Sequence, residues 1–185
     1  DMMFEGLNGL DSSLAYFRAQ GLPLDNSLGR VRLSAQGLSG YQAFCLALDR
    51  DGDVRIFAQP GQGLDGLQTL LHEFGHAAYS LQIDKRLPWL LRQPAHPALS
   101  EAVAILFERL IYRPRWLATW IQVEAGRLAR TEDVFAELSR RNALAFMRWA
   151  LVVVRFEREL YRNPDQDLNA LWRALRQEIQ GLPGI

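Results

Sequence analysis

His72-Glu73-Phe74-Gly75-His76 is the stretch on which the reading of this chain turns. Residues four apart lie on one face of an α-helix, so His72 and His76 can aim ring nitrogens at a common point, with Glu73 one position round the helix. Zinc accepts imidazole nitrogen at about 2.0–2.1 Å, and a carboxylate beside such a pair is placed to act as a general base on water. Leu67, Leu70, Leu71, Phe74, Ala78 and Leu81 recur at helical spacing through the same region. They predict one amphipathic helix carrying the pair, with Asp65 as its cap.

A catalytic zinc site needs a third protein ligand and an open position. A third histidine six residues beyond His76 would fall at position 82, with glycine at 79. The chain has Gln82 and Tyr79, which excludes that pattern. Glu101 is the preferred third ligand: it lies early in a second predicted helix, opening at Ser100 as N-cap, whose Val103, Ile105, Leu106 and Phe107 are apolar. A carboxylate turned toward such a core is costly unless paired or bound to metal. The competing explanation is an exposed first-turn carboxylate favoured by the helix dipole. His96, in the extended run Pro94-Ala95-His96-Pro97, is the rival ligand. Its segment suits a substrate-cleft or solvent position better than a helix-borne metal.

From Leu70 to Leu106 the chain resembles the metal-binding core of the angiotensin-converting-enzyme-like (M2) peptidases and, more distantly, the thimet oligopeptidase and oligoendopeptidase F (M3) group, all of gluzincin type. Tyr79-Ser80-Leu81-Gln82, Leu87-Pro88, Leu91-Arg92 and Glu101-Ala102 carry the resemblance, and Phe156 to Tyr161, Asp167 to Trp172 and Gln180 to Leu182 are similar to the helices beyond that core. The resemblance implies a zinc peptidase in which His72, His76 and Glu101 hold Zn2+ and Glu73 is general base and acid. It implies that Cys45 to Ile56 contains a cleft strand whose backbone, at Cys45, Leu46 and Ala47, binds extended peptide, with His96 a further substrate contact. The chain departs from the family at Ile105, where relatives carry a polar partner for a metal-binding histidine, and the side chains that stabilise the oxyanion in relatives lie beyond the matched region. It looks like part of a larger peptidase.

The rest of the chain sets the frame. A 49% hydrophobic content over 185 residues supports a folded core. With 21 basic and 21 acidic residues, charge gives no case for nucleic acid or an anionic membrane. Cys45 is the single cysteine, so no intrachain disulfide forms; a small buried hydrophobe is its ordinary role. No apolar run approaches the roughly 20 residues of a membrane span. The single cysteine favours a cytoplasmic location slightly, although a chain beginning at Asp1 leaves periplasmic or secreted locations open.

The expected architecture is mainly α, a multi-helix catalytic subdomain over 1–185 with a small antiparallel sheet at the cleft edge. Helices are expected over Leu7–Gln20, the metal helix, Ser100–Tyr112, Pro114–Ala129, Thr131–Phe156 or a little beyond, and Asp165–Gln180. Strands are expected over Arg30–Ser34, Ala43–Leu48 and Val54–Ala58, the last two joined by Asp49-Arg50-Asp51-Gly52-Asp53. That turn is not a calcium loop, which would need Glu where Pro60 stands. Phe146, Trp149 and Phe156 read as a packing stripe. The signals fit a zinc peptidase for oligopeptides acting through a metal-activated water, or a catalytically incomplete zinc- or peptide-binding module, with a zinc hydrolase for another bond a weaker third reading because the metal chemistry does not itself choose amides.

Overall fold

The computed structural model describes residues 9–22, 24, 32–33, 43–58, 63–124, 126, 128 and 131–182. The chain forms two compact units, Asp1–Glu132 and Asp133–Ile185.

The first unit opens with α1 (Gly9–Ala19), whose Phe17 is fully buried, its ring 4.5 Å from Phe107 and 5.8 Å from Phe74. Beside it Tyr16 meets Trp116 and Trp120 edge-on, each at 5.3 Å. Asp11 and Ser12 lie inside the first turn of α1, and Gly21, at φ +71°, follows its end. Leu7 lies outside the described residues.

The sheet has the order β1-β3-β2, with β1 (Arg32–Leu33), β2 (Ala43–Ala47) and β3 (Val54–Ala58). β2 and β3 pair antiparallel, Cys45 opposite Ile56. The β2–β3 pair is the small antiparallel sheet expected, and β1 adds to it parallel to β3, with Arg32 opposite Phe57. The chain reverses between β1 and β2 and again between β2 and β3, so strands one and three point the same way once they become neighbours. Among the described residues β2 is an edge strand. Both β2 and β3 lie against the metal helix, with Val54, Ile56 and Ala58 buried.

The hairpin tip is closed by its own side chains. Asp49 accepts hydrogen bonds from the amides of Asp51 and Asp53, both 2.8 Å, while Arg50 and Gly52 take positive φ. Lys85 donates to the Asp51 carbonyl, Arg92 donates to its carboxylate at 3.2 Å, and the Arg50 guanidinium sits 4.1 Å above the Trp89 ring. The segment after the metal helix is thereby tied to the tip of the hairpin.

The metal helix, α2, runs Gly63–Leu81, so Asp65 stands in its first turn instead of capping it. All six expected apolar contacts except the half-buried Leu81 are buried. A short 3-10 turn, Trp89–Leu91, interrupts the irregular segment that follows. α3 covers Pro97–Glu108, beginning three residues earlier than expected: Pro97 takes the first helical position, and His96 is the N-cap, its Nδ1 accepting from the Ala98 amide at 3.1 Å. α4 covers only Pro114–Trp120, because Gln122 turns to φ +59° and the Val123 amide folds back to the Leu117 carbonyl at 3.4 Å.

The second unit holds most of α5 (Glu132–Arg162) and α6 (Leu168–Gln180). The Phe156 ring meets Trp172 edge-on at 5.2 Å, as the stripe predicted, whereas Phe146 and Trp149 stay half exposed. α6 starts three residues later than expected, with Asp167 as its cap, accepting from the Ala170 amide at 2.9 Å. Among the described residues no helix is long and apolar enough to cross a membrane.

Candidate metal centre

α2 and α3 cross antiparallel, and the crossing is set by small residues. A Cβ on Gly75 would stand 2.6 Å from the Ala104 Cα, so only glycine permits this approach. A helix-interior glycine forgoes roughly 1 kcal/mol relative to alanine, which the crossing offsets through contact. Round that point, residues 72 to 76 of α2 face residues 100 to 108 of α3.

Three side chains converge there. His72 Nε2 lies 3.2 Å from His76 Nε2, Glu101 Oε2 lies 3.7 Å from the first and Glu101 Oε1 3.5 Å from the second. One ligand atom from each residue fits within a sphere of mutual distances up to 4.8 Å. Tetrahedral zinc with bonds of about 2.0–2.1 Å places its ligands about 3.3 Å apart, so the set fits the ion that the sequence pattern implies. The imidazole planes stand at 82° to one another, letting both Nε2 atoms point at one place. His96 is not in this cluster; it is exposed at the start of α3.

The outer ring nitrogens are occupied too. His72 Nδ1 is 2.7 Å from Glu108 Oε2, and His76 Nδ1 is 2.8 Å from Ser100 Oγ. Ser100, expected as a helix cap, serves here instead, and the partner of His72 comes from position 108 and not from Ile105. Glu101 does not face an apolar core: its side chain is 54% exposed, so the centre opens to solvent on that side. Its closeness to the two imidazoles, and not burial, marks this carboxylate out.

Glu73 is buried, with 6% exposure, and its Oε2 has no hydrogen-bond partner. An unpartnered buried carboxylate oxygen is expensive. Burial, reinforced by the Glu101 charge and opposed by His72, pushes its carboxyl up to about 7. His76 is lowered by burial and by His72 against the pull of Glu101. Burial lowers His72 as well, but the Glu108 hydrogen bond and the charges of Glu108, Glu73 and Glu101 together raise it.

A cavity of about 470 Å³ adjoins these groups, lined by Ala43 of β2, by Asp65, Gln68, Thr69, His72 and Glu73 of α2, and by Glu108. Cys45 is half-buried on β2, its thiol pushed up to about 12 by burial and then by the Glu73 charge, so it is no nucleophile near neutral pH. Leu46 and Ala47 are exposed on the same strand.

Two histidines and a glutamate on one helix, answered by a glutamate on the next, define the gluzincin class of metallopeptidase. Residues 41–184 match the family model described as angiotensin-converting enzyme, peptidase M2, and the chain belongs to that family. In fold it is similar to the crystal structure of a protein assigned as an oligoendopeptidase F from Bacillus anthracis str. Ames, with a TM-score of 0.61 and 18% identity. That match covers 97% of this chain and 30% of the other, so the chain spans less than a third of its length.

Proposed function

We propose that the chain carries the metal centre of a zinc-dependent peptidase that hydrolyses peptide bonds of oligopeptides. The observation that carries this reading is the convergence of His72 Nε2, His76 Nε2 and a Glu101 oxygen beside the unpartnered Glu73 carboxylate. Zinc held by those three side chains would supply a Lewis acid and a water acidified toward neutral pH. Glu73, with its pKa raised to about 7, is suited to take a proton from the attacking water and return it to the leaving amine. Leu46 is in hydrogen-bonding register with Arg55 of β3, so along the edge that β2 forms among the described residues it is the backbone groups of Cys45 and Ala47 that can pair with an extended peptide, a recurring mode of peptide capture. The cavity beside Glu73 gives a neighbouring substrate side chain somewhere to sit.

The test combines metal content by elemental analysis with cleavage of a mixed quenched-peptide library. One zinc per chain is expected, lost in Glu101→Ala. Glu73→Gln is expected to keep the zinc and lose about 10²- to 10⁴-fold in cleavage rate. Cleavage that survives in Glu73→Gln removes the proposed base. Zinc and peptide binding without hydrolysis in the wild type would return the noncatalytic module instead.

A further inference from the structure

We infer that Arg92 is a positioning residue, the centre of a clamp on the hairpin tip that fixes the open edge of β2 and so sets how tightly the chain holds an extended peptide. Three side chains bridge the tip and the segment that follows α2. Arg92 is held at both ends: its Nε donates to the Leu87 carbonyl at 2.8 Å and its Nη1 to the Asp51 carboxylate at 3.2 Å. Lys85 donates to the Asp51 carbonyl, and the Arg50 guanidinium lies 4.1 Å above the Trp89 ring. These contacts all land on residues 50 and 51, in the turn between β2 and β3.

The two strands of the hairpin are supported differently. β3 lies against α2 and buries Val54, Ile56 and Ala58. On β2, Phe44 stacks on Phe57 of β3 at 4.9 Å, but further along the strand Leu46 and Leu48 are exposed. Among the described residues β2 is held by β3 on one side only, so the far end of its edge takes its position from whatever grips the tip. The turn transmits that grip because it is closed on itself: Asp49 accepts from the amides of Asp51 and Asp53, and the Leu48 amide donates to the Asp53 carbonyl at 2.8 Å. Residue 51 is thereby coupled to Ala47, the last residue of β2 and one of the two whose backbone faces the open edge. The Asp51 carboxylate is 59% exposed, and such an ion pair is weak alone. Arg92 is 24% exposed and already fixed by the Leu87 carbonyl, so little freedom is lost when its planar fork meets Asp51. Backbone pairing with a peptide is the same in the ground state and the transition state, so a clamp acting through β2 changes KM and leaves kcat alone.

For its effect on peptide the inference rests on the proposed function, but the clamp itself does not, and the experiment reads the two apart. In the full chain loaded with zinc, Arg92→Ala is expected to raise KM for one quenched peptide from the cleaved library about two- to fivefold, with kcat and zinc affinity unchanged. Arg92→Lys, which keeps the charge without the fork, should recover part of that loss. Asp51→Ala should give a similar rise, and the double variant no more than either single one. Without peptide, backbone NMR order parameters of residues 47 to 53, expected near the ~0.85 of rigid backbone in the wild type, should fall in Arg92→Ala while those of α2 stay. Unchanged order parameters overturn the clamp. A KM that does not rise, or a kcat that falls with it, overturns its role in holding peptide even where the tip has loosened. If Arg92→Ala fails to fold, Asp51→Ala, in an exposed turn, carries the same two readings. A wild type that cleaves no member of the library removes the peptidase reading, and the order parameters alone then decide the clamp.

Discussion

The α2–α3 crossing and the α5–α6 pair are both built from two helices, but they use their residues in opposite ways. At the crossing, Leu67, Leu70, Leu71, Phe74, Ala77, Ala78 and Ala104 are buried, and glycine meets alanine backbone to backbone. In α5, which spans Glu132–Arg162, only Phe135 and Val152 are buried, and Leu175 is the buried residue of α6. Leu144, Met147, Leu151 and Val154 form an exposed stripe on α5 at helical spacing. The Arg155–Glu178 pair that joins the two helices is half exposed, a kind of contact worth about 0–1 kcal/mol. A site whose donor atoms must sit within a few tenths of an ångström needs backbones fixed by steric contact, whereas a helix pair joined by one aromatic contact and solvated charges tolerates play.

Substitutions can break or sharpen that contrast. Phe17→Ala should have the largest effect, about 3–5 kcal/mol of stability, because the ring is fully enclosed between Phe74 and Phe107; urea unfolding measures it. Gly75→Ala comes next, at about 1–3 kcal/mol, since its new methyl would meet the Ala104 backbone, which cannot swing aside as a side chain would. It should also weaken zinc binding, by displacing His72 and His76 relative to Glu101. An alanine variant with unchanged stability and unchanged zinc affinity would mean that the crossing is not set by that contact. In the second unit, Asp167→Ala should cost about 1 kcal/mol through loss of the α6 cap, seen as a lower thermal midpoint. Met147→Gln, on the exposed stripe, should stay within about 0.5 kcal/mol of wild type. Were it to destabilise more than Gly75→Ala, the contrast between the two regions would be inverted.

Much of this arrangement is legible in the chain itself. The helix carrying His72, Glu73 and His76 follows from spacing, because residues four apart share a face whatever the helix packs against. The β2–β3 hairpin follows from its Asp-rich tip, which closes on its own amides. Helix ends were less legible: Ser100 has the chemistry of a cap, yet Pro97 and His96 start the helix first, and Pro114 to Ala129 reads as one helix although Gln122 turns out of it. Glu101 is legible through its neighbours in the sequence, but it stands in an open centre and not against an apolar core.

Glu108 carries a signal in its spacing, seven residues beyond Glu101 and so on the same side of a largely apolar helix. What the spacing could not supply was the partner. The sequence alone determined which residues share a helical face, since that depends only on the pitch of the backbone. Tertiary structure alone decided that Ser100 and Glu108 answer His76 and His72, because the register of two helices distant in sequence is set where Gly75 and Ala104 touch, and no local periodicity encodes it.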